Sequence, residues 1–310
     1  MTDAPWTIGR LLTWTADFLR ERGADSPRLD AEVLLAHARG CPRIALYTAF
    51  DEPASEELRT QFRELVKQRA AGKPVAYLVG HREFFSLSFD VTPDVLIPRP
   101  ETEELVVRAL DLLKEPRPAD SETGDAAQRS PQGAPRVLDV GTGSGAIAVC
   151  LAKQHPTAQV TAVDVSPAAL AVARRNAEKH DVAQRIEFLE SDLLAAVDAG
   201  VQFDLIASNP PYVTTAEMAQ LDGDVRNYEP HLALGGGEQG TAVIERLIAQ
   251  AAPRLAPGGW LLIELSPMIA ARVEQLLDAA PGLQRRETLK DSNGLARVAQ
   301  AQLATHITPP

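Results

Sequence analysis

The chain has 310 residues, 45% hydrophobic and 24% charged, which describes a globular protein long enough for two domains and excludes collagen, coiled coil and wholesale disorder. Lys and Arg number 31 against 42 Asp and Glu, a net charge of −11, so the electrostatic footprint of a protein that neutralises many phosphates is missing and nucleic acid is disfavoured as a direct partner. Two cysteines without metal spacing, an opening without a basic leader, and no window approaching about 18 uninterrupted apolar residues lead us to expect a cytoplasmic protein with no disulfide framework, metal site or membrane anchor.

Residues 1–75 carry 11 basic and 11 acidic side chains, so the whole acidic excess lies beyond them and suggests two units. In the first, Ile8, Leu11, Leu12, Thr15, Phe18 and Leu19 fall at helical spacing after a Thr7 cap, and Ser26-Pro27 opens a second helix through Leu29, Val33 and Leu34. A third helix follows Ser55 with the stripe Leu58, Phe62, Leu65 and Val66. Residues 1–74 therefore read as a small helical bundle anchored by Trp6 and Trp14, either of which would suit a protein interface if exposed. Residues 75–97 alternate aromatic and β-branched residues with Gly and Pro, the pattern of a β-hairpin linker. Residues 98–310 form the second domain, opening on a helix over 102–113. Its stretch 116–135 is rich in Pro, Ser, Gly and Ala and reads as a flexible surface insert.

From residue 136 short apolar runs alternate with helical patterns. RVLDVG, QVTAVDV, RIEFLES, FDLIASN and GWLLIEL read as buried strands, and helices are expected from Ser144, Pro167, Glu238 and Pro267. This is the grammar of an α/β fold with a parallel sheet covered on both faces.

The first of these strands ends in Asp139-Val-Gly141-Thr142-Gly143-Ser144-Gly145 and runs into a helix, so a cofactor can approach bare backbone at a strand-to-helix turn. The second ends at Asp164, 23 residues after Gly141, where a carboxylate can accept both hydroxyls of an adenosine ribose. The glycines alone also satisfy the looser dinucleotide fingerprint of dehydrogenases. A sulfonium methyl donor suits an acidic pocket with no pyrophosphate to bind, and Asp139 and the overall charge favour S-adenosylmethionine. Asp192 stands where it can accept from an adenine amino group or cap a following helix.

The fourth strand delivers Asn209-Pro210-Pro211-Tyr212 to the carboxyl edge of the sheet. An amide nitrogen is a poor nucleophile, so methylating it requires holding rather than a strong base. The Asn209 side-chain oxygen and the Pro210 carbonyl can each accept one hydrogen of a planar amino group, with Tyr212 covering one face. The segment does not distinguish a nucleobase from a carboxamide.

With PVAYLVGHREFFSLSFDV, LIPRPETEELV, VLDVGTGSGAIAVCLA, AVDVSPAALAVARRNA, FDLIASNPPYV, VRNYEPHLALGGGEQG and LAPGGWLLIE, the chain resembles class I S-adenosylmethionine-dependent methyltransferases, and more narrowly the peptide chain release factor N5-glutamine methyltransferases. The resemblance covers nearly the whole chain. It implies methylation of the glutamine in the Gly-Gly-Gln motif of class 1 translation release factors. It also implies a helical domain over 1–74 that grips the release factor, and a Rossmann-like seven-stranded catalytic domain. On it, Gly141, Thr142, Gly143, Ser144, Gly145, Asp164, Asp192, Leu193 and Asn209 become cofactor positions, and Asn209, Pro210, Pro211 and Tyr212 hold the glutamine, with Asn209, Pro210 and Tyr212 carrying catalysis. Pro98 to Thr102 line the cleft, where Arg99 either positions substrate or pairs with Glu101 or Glu103. Two departures stand out: Leu193 replaces a tryptophan found in some members, and Glu264-Leu-Ser-Pro-Met replaces a Gly- or His-containing turn. The chain is expected to be a monomer. An adenine-N6 methyltransferase acting on a flipped base uses a similar Asn-Pro-Pro-Tyr segment and is the alternative, disfavoured by charge; an idle cofactor-sensing adaptor is a third reading.

Overall fold

The computed structural model describes residues 5–115 and 133–304. The insert expected at 116–135 falls, over residues 116–132, outside the described residues. Two compact units divide the chain: Met1–His81 with Asp222–Tyr228, and Arg82–Leu221 with Glu229–Pro310.

The first unit is helical. α1 (Ile8–Arg20) starts where the Thr7 hydroxyl accepts from the Arg10 amide, and α2 (Pro27–Arg39) begins on proline and ends at Gly40 in the left-handed conformation. α3 (Ile44–Thr48) is too short to leave a periodic trace in the sequence. α4 (Glu56–Ala70) is capped by Ser55, as its sequence predicts. Leu12, Leu34, Leu35 and Leu46 are fully buried, with Phe62 and Val66 nearly so. Arg69 pairs with Asp30 at 2.7 Å and reaches Asp224 at 3.6 Å, and the Tyr228 hydroxyl donates to the Ala71 carbonyl, which ties the Asp222–Tyr228 segment into this unit. Trp14 stacks on Phe18 and is half exposed, so it anchors less than its sequence position suggests.

The linker expected over 75–97 needs correction. Val75–Val79 is a helical turn, α5, closed by Gly80 in the left-handed region. Only β1 (His81–Phe84) and β2 (Leu87–Asp90) form the hairpin. Its two-residue turn puts Phe85 and Ser86 at φ of 50° and 59°, a conformation usually left to Gly or Asn. The Phe85 amide there donates to the Glu103 carboxylate.

Beyond the hairpin, the second unit continues through α6 (Thr102–Lys114), β3 (Arg136–Val140), α7 (Ala146–Gln154), β4 (Gln159–Asp164), α8 (Pro167–Lys179), β5 (Ile186–Glu190) and β6 (Phe203–Ser208). After β7 (Val213–Thr214) and α9 (Thr215–Met218) the chain passes through α10 (Gly223–Tyr228), which belongs to the first unit, and the second unit resumes with β8 (Gly235–Gly237), α11 (Ala242–Ala251), β9 (Leu255–Glu264), α12 (Ala270–Ala279), β10 (Leu283–Arg285), β11 (Leu289–Lys290) and β12 (Ala296–Leu303). The main sheet has the order β10-β12-β9-β6-β3-β4-β5, with β11 paired to β12. Strands β5, β4, β3, β6 and β9 are parallel, whereas β12 runs antiparallel to both β9 and β10. The five parallel strands match the five apolar runs. The antiparallel edge carries Arg297, Gln300 and Gln302 among its apolar residues and so does not read as a buried strand.

Alternation along the strands feeds two cores. Val137, Val160, Ala162 and Leu205 pack with α6, α7 and α8 on one face; Leu138, Val140, Val163 and Ile206 pack with α11 and α12 on the other. The order reverses between β3 and β6, and ligands of open α/β sheets bind at the carboxyl ends beside such a reversal. Among the described residues no helix is long and apolar enough to cross a membrane.

Candidate active site

At that reversal lies a cavity of about 440 Å³, lined by the loop after β3, the ends of β4 and β6, the Pro98–Thr102 segment and the N-terminal part of α11. The glycine loop is shaped by its own hydrogen bonds. The Gly141 and Thr142 amides both donate to the Val163 carbonyl, and the Thr142 hydroxyl donates to Asp139 at 2.6 Å. Gly145 has φ of 82°, and a Cβ there would lie 3.1 Å from the Ala173 methyl, so α7 can start at this point only from a residue without a side chain.

Three carboxylates serve this region in different ways. Asp139 is fully buried, accepts from Thr142 and the Ala148 amide, and among the described residues its Oδ1 has no partner; burial pushes it up to about 7. Asp164 accepts from the Ser166 and Gly143 amides through its two oxygens, which links the end of β4 to the glycine loop, and its burial raises its pKa. Asp192 is more open and is held by Arg246 at 2.6 Å. No helix follows Asp192, so its capping alternative does not apply; residues 192–198 form turns, in which Leu193 stands at φ of 53° against the cavity.

On the opposite wall β6 ends at Ser208, whose hydroxyl donates to the Val140 carbonyl and ties the two central strand ends together. Asn209 follows, lines the cavity and donates from Nδ2 to the Thr102 hydroxyl oxygen at 3.2 Å. Among the described residues its Oδ1 has no hydrogen-bond partner. Pro211 lines the cavity, whereas Pro210 and Tyr212 do not: Pro210 is buried, and Tyr212 packs against the α11–α12 side of the core, where burial pushes its phenol up to about 12. The bend is backed by main chain, because a Cβ on Gly240 would stand 2.5 Å from the Tyr212 carbonyl oxygen. Arg99 lines the cavity but pairs with neither Glu101 nor Glu103. Its partner is Glu229, at 2.7 Å.

Three contributors have no assigned role in the sequence reading. Glu229 sits in the Tyr-Glu-Pro stretch at the end of α10. Asn176 is fully buried on α8; its Oδ1 accepts from the Asp90 amide and its Nδ2 donates to the Asp90 and Ser144 carbonyls, so one side chain pins β2 and the glycine loop together. Glu264 ends β9 with 2% exposure. The one signal for it was a carboxylate closing an otherwise apolar strand.

The donor set suits S-adenosylmethionine. Asp164 and Asp192 offer acceptors to hydroxyl and amino groups, and bare backbone lines the glycine loop. The cavity's two lining arginines are each already engaged by a carboxylate, leaving no paired cationic clamp for a pyrophosphate. Among the described residues no group of His, Cys, Asp and Glu has the geometry to hold a metal ion.

Residues 10–80 match the family model described as the PrmC N-terminal domain, and residues 127–224 match the methyltransferase small domain. The release factor glutamine methyltransferase of Rhodopirellula baltica is 49% identical over 302 residues, 97% of this chain and 98% of that protein. The chain belongs to the release factor glutamine methyltransferase family. A second member, from Geobacter sulfurreducens, is 43% identical over 98% of this chain and all of its own length. Among solved structures, the hMettl16 catalytic domain, determined in complex with the MAT2A 3′UTR hairpin 1, superposes with a TM-score of 0.52 at 17% identity over 79% of this chain and 82% of that one, a likeness of fold alone.

Proposed function

We propose that this chain methylates the side-chain nitrogen of the glutamine in the Gly-Gly-Gln motif of class 1 peptide chain release factors, using S-adenosylmethionine. The observation that carries the reading is the state of Asn209: its amide nitrogen is already engaged by Thr102, while its oxygen is unpartnered at a cavity that also holds the glycine loop and Asp164.

When bound, S-adenosylmethionine supplies an electrophilic methyl group on a sulfonium. Gly141 to Gly145 would present backbone to it, Asp164 would take its ribose hydroxyls, and Asp192 with Leu193 would border its adenine. Asn209 Oδ1 and the Pro210 carbonyl accept the two hydrogens of the glutamine amide, which fixes the nitrogen and takes up positive charge as it develops there. Pro210 and Pro211 stiffen the bend that carries both acceptors. Tyr212 anchors the far end of that bend in the core beside α11 and α12. The nitrogen becomes strongly acidic on alkylation, so its proton leaves without a dedicated base. Arg99, engaged by Glu229, shapes the cavity wall.

The helical unit, residues 1–74, grips the release factor, with half-exposed Trp14 an aromatic contact for a protein surface. The chain acts as a monomer in the cytoplasm, without nucleic acid or membrane as a direct partner. The test is transfer of labelled methyl to a purified release factor. Asn209→Ala should abolish transfer while cofactor affinity changes less than about threefold. Full transfer by that variant, or transfer to duplex DNA or RNA in place of release factor, would remove the proposal.

A further inference from the structure

Glu264 is a buried carboxyl that the mechanism above leaves without a task. The β6–β9 register pairs Ser208 with Ile263, so Asn209 and Glu264 stand one residue beyond the ladder on adjacent strand ends. Glu264 is 2% exposed and forms no ion pair among the described residues, and its Oε2 has no partner there. The charged and titratable groups facing it are Glu101 and Arg99 from the segment before α6, Arg297 from β12 and Tyr212 after β6. Arg99 is engaged by Glu229, and Arg297 by Asp291. What does stand beside the carboxyl is the Thr102 hydroxyl, which favours its ionised form and accepts from Asn209 Nδ2 at 3.2 Å.

We propose that Glu264 is a positioning residue for methyl transfer, acting through Thr102 to set which end of the Asn209 amide faces the cleft. This rests on Asn209 being the holder of the substrate amide.

The argument is one of donor counting. An ionised carboxyl only accepts, and a hydroxyl has one proton and two lone pairs. If the Thr102 proton goes to Glu264, only lone pairs remain for Asn209, so Asn209 must turn its NH2 toward Thr102. Its oxygen then faces the cleft, where the incoming amino group needs an acceptor. The reversed amide would set NH2 against NH2. Burial pushes Glu264 up to about 7. Once protonated, it can donate to Thr102, the hydroxyl proton is free to turn to Asn209 Oδ1, and the amide loses its preferred orientation.

The test uses the full chain with release factor as acceptor. It compares Glu264→Gln, Thr102→Val, Thr102→Ser and Asn209→Ala for kcat, KM and calorimetric cofactor affinity between about pH 6 and about pH 9. A separate readout is the Asn209 side-chain NH2 signal of the cofactor-free protein by NMR. The parent should lose kcat as pH falls through about 7, and Glu264→Gln should flatten that limb. Thr102→Val should lower kcat on the order of tenfold with cofactor affinity unchanged, and Thr102→Ser should restore it. The Asn209 signal should shift with pH in the parent and hold still in Glu264→Gln. Parent-like kcat and pH profiles in both Thr102→Val and Glu264→Gln, alongside an inactive Asn209→Ala, would overturn the relay and leave Asn209 as holder. A loss shared equally by Thr102→Ser and Thr102→Val, or confined to cofactor affinity, would overturn it as well. Activity retained by Asn209→Ala would instead remove the reading beneath it.

Discussion

Arg99 and Glu229 are 130 residues apart in the chain, and the Arg99 guanidinium donates to the Glu229 carboxylate at 2.7 Å. The Glu229 side chain is 1% exposed and that of Arg99 32%, so the arginine keeps contact with water while its partner does not. Arg99→Met should therefore cost about 1–3 kcal/mol, because it removes a hydrogen-bonded cation from a buried carboxylate. Adding Glu229→Gln should recover most of that loss. Urea unfolding at constant m-value checks both, and a single Arg99→Met variant as stable as the parent would contradict the pairing.

Gly145 offers a sharper stability test. Gly145→Ala forces a methyl against Ala173 at 3.1 Å on a backbone with φ of 82°. A loss of about 1–3 kcal/mol is expected, with the start of α7 the first region to gain amide exchange.

Asn176 is the third. Replacing it by Ala removes three hydrogen bonds at once and leaves the Asp90 amide and the Asp90 and Ser144 carbonyls to find other partners. We expect a loss of roughly 2–4 kcal/mol and a weaker grip on S-adenosylmethionine, since the glycine loop loses one of its ties. Asn176→Asp should do no better, because a carboxylate cannot donate to two carbonyls. Thermal melts with and without cofactor measure both effects.

Stability should also depend on pH in a direction opposite to the usual carboxylate. Asp139 rises from its ordinary value of 3.8 to about 7 in the fold. The folded protein then binds more protons than the unfolded chain between those values, so stability is fully present at the acid end and declines as pH rises through about 7. Glu264, also raised to about 7, adds to the same slope. Asp139→Asn should flatten the decline and raise Tm at about pH 8 relative to the parent. A parent Tm that climbs steadily from acid to alkaline conditions would contradict the assignment.

Much of this arrangement was written in local pattern. The parallel strands announce themselves because both faces are buried, and Thr7, Pro27, Ser55 and Pro167 mark helix starts through capping or a fixed φ. The glycine loop and Asp164 were legible because strand, turn, helix, strand and acid follow in order. The misses have physical reasons. Val75–Val79 is apolar and too short for helical periodicity to differ from strand alternation, so it read as part of the hairpin. β12 mixes Arg and Gln with small apolar residues on an antiparallel edge. The acids nearest Arg99 in sequence stand two and four positions away, while its partner lies 130 positions distant, and Asn176 and Thr102 act through contacts 86 and 107 residues off. Distances of that kind leave no trace in spacing. Only the sheet brings them together.

The approach of Gly240 to the Tyr212 carbonyl gives the acceptor bend one wall with nothing to trim. A designer wishing to admit a bulkier amide would have to carve from the Pro98–Thr102 side, since shortening a residue at position 240 is not an option and lengthening it collides with the main chain. In an exhaustive mutational scan Gly240 should thus score like an active-site residue while standing outside the cavity, and the tolerated changes that alter acceptor range should cluster along a single flank.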